Sequence, residues 1–165
     1  MQSIAIYPGT FDPITLGHFD LVERGASIFD HLVLGVARST PKDTLFSIDE
    51  RMALCQAAVR NLGNVEVEAF DGLLIDYVHR REARILIRGV RAFSDFEYEF
   101  QMALINRQLA PDIETLFMMP NETYSYLSSS RIKEVAALGG DTRRFVPPNV
   151  HQALLGKFPD TSPDE

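Results

Sequence analysis

Short apolar segments alternate with amphipathic segments along most of the chain, and this alternation limits the folds that the chain can adopt. Five runs rich in β-branched and aliphatic residues indicate strands, at residues 3–7, 31–37, 65–70, 85–88 and 115–118. Several of these runs are almost continuously apolar, which is typical of strands buried on both faces of a parallel sheet.

Between the apolar runs, hydrophobic residues recur at the spacing of α-helices. This periodicity predicts helices at residues 17–29, 48–61, 73–81, 95–109 and 130–138, with a last helix after Pro147-Pro148. Two of the helices are expected to begin with capping boxes, Ser47 with Glu50 and Ser94 with Glu97. The helix at 130–138 is expected to end at Gly139-Gly140.

Strands that alternate with helices predict a single-domain α/β fold with a doubly wound parallel sheet. We expect five strands in the Rossmann-like order 3-2-1-4-5 and a C-terminal helical extension, with the domain at residues 1–158. Residues 159–165 are polar and proline-rich and are expected to be disordered. Ligands of such sheets bind where the strand order reverses, at the carboxyl ends of strands one and four.

Composition narrows the possible partners. The net charge of −7 argues against nucleic acid as the main ligand. No apolar run is long enough for a membrane span, and no secretory signal is visible, so we expect a cytoplasmic protein without a membrane partner. Thirteen of the 16 basic residues are arginine, and five of them, including Arg88 and Arg91, lie within residues 80–91. This local excess of guanidinium groups suggests anion binding.

The loop after the first strand is not a standard nucleotide motif, because neither Gly-x-Gly-x-x-Gly nor a Walker A pattern is present. Gly9 permits backbone to approach a ligand, Thr10 offers a hydroxyl, and His18 follows Gly17 at the start of a helix. Backbone N–H groups and the helix dipole favour anions at that position. We therefore interpret His18 as a functional residue, although a lone histidine is more often structural.

A serine-rich segment follows the fifth strand and leads into a helix: Tyr124, Ser125, Tyr126, Leu127, Ser128, Ser129, Ser130 and Arg131. Its hydroxyl and backbone N–H groups could bind the outer phosphates of a nucleoside triphosphate. The alternative is simple N-capping of the helix, for which one serine would suffice.

These segments together resemble a known family. Residues 15–18 (Thr-Leu-Gly-His) with the three serines are similar to the signature pair of the nucleotidyltransferase superfamily. Residues 9–13, 88–91, 95–99 and 149–154 extend the resemblance, over about residues 3–157, to the bacterial phosphopantetheine adenylyltransferases. One position differs, because Leu16 stands where many members have asparagine, which bears on the positioning of His18.

The resemblance implies transfer of AMP from ATP to 4′-phosphopantetheine, giving dephospho-coenzyme A and pyrophosphate. It implies catalytic roles for Thr10, His18, Lys42 and Arg88, and contacts of Thr10, Lys42, Leu74 and Arg88 with the acceptor. Implied ATP-binding residues are Thr10, Phe11, His18, Gly89, Val90, Arg91, Glu99 and residues 124–130. Met102 and Asn106 are weaker candidates for contacts with the pantetheine arm.

The same resemblance implies Mg²⁺ held mainly by ATP phosphates, assembly as a homohexamer, and feedback inhibition by coenzyme A. The aromatic residues Phe93, Phe96, Tyr98 and Phe100 are expected in the core or at a subunit interface. Two alternatives remain open. One is another transferase of the superfamily, such as a cytidylyltransferase or a mononucleotide adenylyltransferase, and the other is a non-catalytic module that binds nucleotide or coenzyme A. A third alternative, a redox dinucleotide-binding protein, is disfavoured because the Gly-x-Gly-x-x-Gly motif is absent.

Overall fold

The computed structural model describes residues 3–40 and 43–159, in which strands and helices alternate as the sequence predicts. The strands are β1 (Ile4–Gly9), β2 (His31–Ala37), β3 (Val65–Phe70), β4 (Ile85–Gly89) and β5 (Glu114–Met118). The helices are α1 (Leu16–Ile28), α2 (Ile48–Val59), α3 (Leu74–Arg80), α4 (Phe93–Leu109), α5 (Ser129–Ala137) and α6 (Pro148–Lys157), with a 3₁₀ turn at Glu122–Tyr124.

The five strands form one parallel sheet in the order β3-β2-β1-β4-β5, which confirms the predicted topology. Alternate residues of each strand face opposite sides of the sheet, so the sheet has two apolar layers. In β1, Ala5 and Tyr7 belong to the larger layer, which α1, α2, α5 and α6 cover. Ile6 belongs to the smaller layer, together with Ile75 and Val78 of α3.

The two central strands pair over a short distance only. β1 pairs with β2 along its whole length, from Ile4 to Gly9. Its ladder with β4 is confined to Ala5 opposite Ile85 and Ile6 opposite Leu86. Because the chain turns to opposite sides of the sheet after β1 and after β4, the carboxyl halves of these strands separate and leave an opening between them.

The helix caps agree with the sequence in part. Ser47 and Glu50 form the predicted capping box of α2. The predicted box of Ser94 and Glu97 is wrong, because α4 begins at Phe93 with Ala92 as its N-cap and without a side-chain cap. At the end of α5, Gly139 adopts φ +75° and the N–H of Gly140 donates to the Val135 carbonyl, as expected for a glycine that ends a helix.

The predicted C-terminal extension is α6, which has Pro148 in its first turn and packs Val150 and Leu154 into the larger apolar layer. The predicted tail lies outside the described residues from position 160 onward, and the domain boundary at 158 stays a prediction. Within the described part of the chain, no helix is long and apolar enough to cross a membrane.

Helix α4 covers the sheet poorly. None of its described side chains is buried, and large apolar ones are exposed: Phe96, Tyr98, Phe100, Leu104, Ile105 and Leu109. For Phe96, Tyr98 and Phe100 this excludes the core position that was one of the two sequence-based interpretations.

Candidate active site

A cavity of about 320 Å³ opens between the carboxyl ends of β1 and β4. Four segments build its walls: the loop after β1, the start of α1, the loop from β4 into α4, and the serine-rich segment before α5. The predicted site residues that line it are Thr10, Phe11, His18, Arg88, Gly89, Arg91, Glu99, Tyr124, Leu127, Ser128, Ser129 and Ser130. The loops that the sequence analysis singled out therefore surround the opening between β1 and β4.

His18 is part of the N-terminal cap of α1. The backbone N–H of Thr15 donates to Nδ1 of His18 over 3.0 Å, and the backbone N–H of His18 donates to the Thr15 hydroxyl over 3.2 Å. This is a capping box in which histidine takes the place usually held by glutamate or glutamine. Because a backbone N–H can only donate, Nδ1 must be the acceptor, and the ring proton of neutral His18 lies on Nε2.

The electrostatic surroundings keep this ring neutral. Burial, together with the nearby positive charges of Arg91 and Arg88, lowers the pKa of His18 to about 4. At neutral pH the imidazole is therefore an uncharged donor through Nε2, and it lines the cavity. It can stabilise charge on an oxygen without acting as a proton acceptor.

Phe11 supports His18 from beneath. Its backbone has φ +49°, which is uncommon for a residue other than glycine, and its side chain is buried. The ring packs edge-on against His18 with 5.1 Å between ring centroids, and a Cβ atom at Gly9 would lie 2.8 Å from the Phe11 ring. Glycine at position 9 is thus required for the packing that holds the histidine.

Arg88 and Glu99 form a forked ion pair across the cavity. Nε and Nη2 of Arg88 donate to the two carboxylate oxygens over 2.7 and 2.6 Å, and Nη1 donates to the Pro8 carbonyl over 3.1 Å. Burial alone would lower the pKa of Arg88, but the hydrogen bonds and charge of Glu99 outweigh it and raise the pKa above its usual value. The guanidinium therefore remains charged and rigidly held.

Arg91 links the β4 loop to the serine-rich segment. Its Nε donates to Asp95 over 3.1 Å, and its Nη1 donates to the Leu127 carbonyl. Asp95 also lines the cavity. Arg91 thus holds the N-terminal end of α5 in a fixed position relative to the start of α4.

Two of the three adjacent serines have structural partners. The Ser128 hydroxyl caps α5 by accepting from the N–H of Arg131, and the Ser129 hydroxyl donates to the Pro13 carbonyl over 2.8 Å. Ser130 is exposed and lines the cavity. The first backbone N–H groups of α5 have no partner within the helix, so they can bind an anion at this wall of the cavity.

Some predicted residues lie away from the cavity. Lys42 lies outside the described residues. Leu74 packs at the start of α3 against the smaller apolar layer, and Val90 is half-buried, with its N–H bonded to Met118. In the serine-rich segment, the Ser125 hydroxyl donates to the Glu122 carbonyl and Tyr126 is exposed. Met102 and Asn106 are half-buried on α4.

Other residues of the cavity were not predicted from the sequence: Tyr7, Pro8, Thr15, Leu21 and Pro120. Tyr7 and Pro8 lie in the carboxyl half of β1, next to the predicted point of strand reversal, and this position alone could have identified them. Thr15 precedes a predicted helix, where threonine is a common N-cap. Among the described residues, no group of three His, Cys, Asp or Glu side chains is placed to hold a metal ion.

Comparison with known proteins agrees with this geometry. Residues 6–135 match the cytidylyltransferase-like family. The chain is 53% identical to the phosphopantetheine adenylyltransferase of Oleidesulfovibrio alaskensis over 155 residues, which cover 94% of this chain and 91% of that protein. The chain belongs to the phosphopantetheine adenylyltransferase family. The resemblance seen in the sequence is therefore confirmed.

Solved structures with low sequence identity share the fold of this adenylyltransferase family member. A Vibrio parahaemolyticus protein assigned as a nicotinate-nucleotide adenylyltransferase has a TM-score of 0.73 at 20% identity, covering 94% of this chain and 99% of that chain. The Plasmodium falciparum nicotinic acid mononucleotide adenylyltransferase, solved with NaAD, has a TM-score of 0.71 at 13% identity, with 96% of each chain covered.

The hydrogen bonds of His18 predict its protonation state in the free protein. In ¹⁵N-edited NMR spectra at pH 7, we expect Nδ1 without a proton and Nε2 protonated, because the Thr15 N–H occupies Nδ1. The ring should bind a second proton only near pH 4, because burial and the positive charges of Arg91 and Arg88 oppose a charge on it. A His18→Gln variant assigns the signals. A proton on Nδ1, or titration at the usual pH for histidine, would contradict this arrangement.

Proposed function

We propose that this family member transfers the adenylyl group of ATP to 4′-phosphopantetheine, giving dephospho-coenzyme A and pyrophosphate. The observation that carries the proposal is His18, a neutral hydrogen-bond donor that a helix cap fixes inside a cavity with Arg88 and Arg91. The 53% identity to a phosphopantetheine adenylyltransferase favours this acceptor.

The reaction requires no general base. An oxygen of the acceptor's phosphate forms a bond to the α-phosphorus of ATP, while the bond from that phosphorus to the bridging oxygen breaks. Pyrophosphate leaves with the electron pair. The attacking phosphate is already anionic near pH 7, because its second pKa is about 6. Repulsion between two anions is then the main barrier, so catalysis consists of positioning and charge stabilisation.

The residues of the cavity can divide these tasks. His18 and Thr10 donate hydrogen bonds to the crowded α-phosphate, where negative charge develops. Arg91, Ser130 and the N-terminal turn of α5 bind the leaving pyrophosphate. Gly89 and Phe11 lie beside the adenosine, and the serine-rich segment closes over the triphosphate. Lys42 and Arg88 hold the acceptor's phosphate. Leu74 is not part of this cavity, so its contact with the pantetheine arm would lie beyond it.

The ion pair with Glu99 gives this carboxylate a different task from the contact with ATP that the sequence suggests. A guanidinium has five N–H donors, and in Arg88 three of them bind Glu99 and Pro8. The two that remain can bind a phosphate while Glu99 keeps the group in a fixed plane. We propose that Glu99 orients Arg88 toward the acceptor.

We expect Mg²⁺ to enter this cavity bound to the phosphates of ATP. The carboxylates that line the cavity, Asp95 and Glu99, are both paired with arginines. Oxygen atoms of the triphosphate are therefore the better ligands, and Mg²⁺ commonly keeps several waters when it binds in this way. The metal would neutralise charge on the phosphates that leave.

Further proposals concern regulation and location. Coenzyme A contains the same pantetheine arm and adenosine as the product, so it should occupy the same cavity and inhibit the enzyme. The single cysteine, Cys55, is a buried free thiol, which is consistent with a reducing compartment. We therefore propose a cytoplasmic enzyme that coenzyme A inhibits by feedback.

Pyrophosphate release tests the proposed reaction. With ATP and Mg²⁺, we expect release with 4′-phosphopantetheine but not with pantetheine, because only the phosphorylated acceptor carries the anionic nucleophile. Removing Mg²⁺ with EDTA should abolish release, and added coenzyme A should slow it. Release with a nicotinate mononucleotide, or with CTP in place of ATP, would favour another transferase. ATP binding without release from any of these acceptors would favour a non-catalytic module.

Replacement of His18 tests its role at the α-phosphate. We expect His18→Ala to lower kcat by roughly 10²–10³-fold with ATP binding retained, the usual loss when one oxyanion donor is removed. The matched control is His79→Ala, because His79 is exposed and paired with Asp112 away from the cavity. If kcat of a folded His18→Ala protein falls by less than about tenfold, the assigned role is wrong.

The exposed apolar side chains of α4 support assembly as a homohexamer. Several large apolar side chains exposed on one helix often mark an interface. Sedimentation equilibrium should then give a mass six times that of the 18.6 kDa chain. Ile105→Glu should reduce the mass, whereas Ile28→Glu, which alters an isoleucine exposed on α1, should not. A monomer mass for the unmodified protein would contradict the proposal.

A further inference from the structure

Helix α2 carries a charged residue in the interior of the protein. Arg51 is only 2% exposed. It takes part in none of the ion pairs formed by the described residues. Apolar residues of similar volume often replace buried charged groups without loss of stability. Packing alone therefore does not account for an arginine at this position.

The partners of Arg51 are backbone carbonyls from three places in the chain. Its Nη1 donates to Thr10 and to Ala37, each over 2.8 Å, and its Nε donates to Phe46 over 3.2 Å. Ala37 ends β2, and Phe46 directly precedes the N-cap of α2. One guanidinium thus binds both ends of the segment 38–45, which contains Lys42, and ties them to the loop that carries Thr10.

A second charged residue holds the same junction from the other side. The buried carboxylate of Asp12 accepts from the N–H groups of Leu45 and Phe46 over 2.9 and 2.8 Å, and from Nζ of Lys133 over 2.6 Å. The backbone N–H of Phe46 is therefore bound to the loop after β1 through Asp12, and its carbonyl is bound through Arg51. Lys133 connects this junction to α5, below the serine-rich segment.

We propose that Arg51 is a positioning residue for the acceptor half of the site. It fixes Thr10 relative to Ala37 at the end of β2 and to Phe46 before α2, and the chain between these two residues includes Lys42, which binds the acceptor's phosphate in the proposed function. This inference rests on the proposed function, because it concerns the substrate that Lys42 would bind. The donors of a guanidinium are spread over a plane and can therefore bind three separated carbonyls at once. The donors of an ammonium group all lie on one nitrogen atom, so they cannot span the same distance.

The test is Arg51→Lys, which keeps the charge but cannot reach all three carbonyls. We expect KM for 4′-phosphopantetheine to rise roughly tenfold and kcat to fall by about 10–10²-fold, because small misplacements of reacting groups are costly. KM for ATP should stay within about twofold of the unmodified protein. Lys42→Ala provides the reference for an acceptor defect.

The matched control is Val59→Ala. Val59 is buried in the same helix two turns further on, so its truncation lowers stability without touching either loop. Both KM values should remain unchanged in this variant. If Arg51→Lys behaves like Val59→Ala, with lower stability but an unchanged acceptor KM, Arg51 is only a structural residue and the proposal is wrong.

Hydrogen exchange separates this proposal from the proposed function. If the unmodified protein releases no pyrophosphate, the proposed reaction fails, but the role of Arg51 can still be measured in the free protein. Arg51→Lys should accelerate amide exchange in residues 10–12 and 38–46 and leave α1 and β4 unaffected. Uniform acceleration, or none, would overturn the proposal. Where Arg51→Lys does not fold, Arg51→Gln, which removes the buried charge, serves for both measurements.

Discussion

The short pairing between β1 and β4 is the constraint on which the rest of the structure depends. Their ladder ends at Ile6 and Leu86, so the strands separate just where β1 reaches Pro8. Proline has no N–H to offer a neighbouring strand, and its carbonyl accepts instead from Arg88 of β4. The separated strand ends form the floor of the cavity, and the loops that follow them form its walls. The sheet therefore determines where an anion can bind before any side chain is considered.

Structural caps and functional groups are the same residues in this site. His18 completes the cap of α1, and that cap in turn selects the ring nitrogen that carries the proton. Ser128 caps α5, and Arg91 binds the Leu127 carbonyl next to it. Because these side chains are already ordered by their capping hydrogen bonds, little conformational entropy is lost when they bind substrate. Their double role also means that substitutions here affect helix stability and chemistry together.

The sequence predicted the fold well because its signals are local. Alternating apolar runs were sufficient for a doubly wound parallel sheet, and Ser47 with Glu50 was sufficient for the cap of α2. The cap at His18 escaped recognition because capping boxes are expected to contain glutamate or glutamine. The burial of Arg51 was not predicted for another reason. An arginine near the start of a helix is usually exposed to solvent, and its carbonyl partners here lie far away in the sequence. The pairing of Arg88 with Glu99 likewise depends on how α4 lies across β4, which no local pattern contains.

The charges of the cavity explain how an acidic protein can hold several phosphates. Arg88 forms an ion pair with Glu99 and Arg91 forms one with Asp95, so each guanidinium is matched by a carboxylate. His18 is neutral, because burial and the same arginines lower its pKa to about 4. The positive charge of Arg51 lies behind the loops and is not offset by an ion pair within the described residues. Phosphates must then be recognised by directed N–H groups rather than by a general positive potential, and such groups favour an anion of one shape at one position.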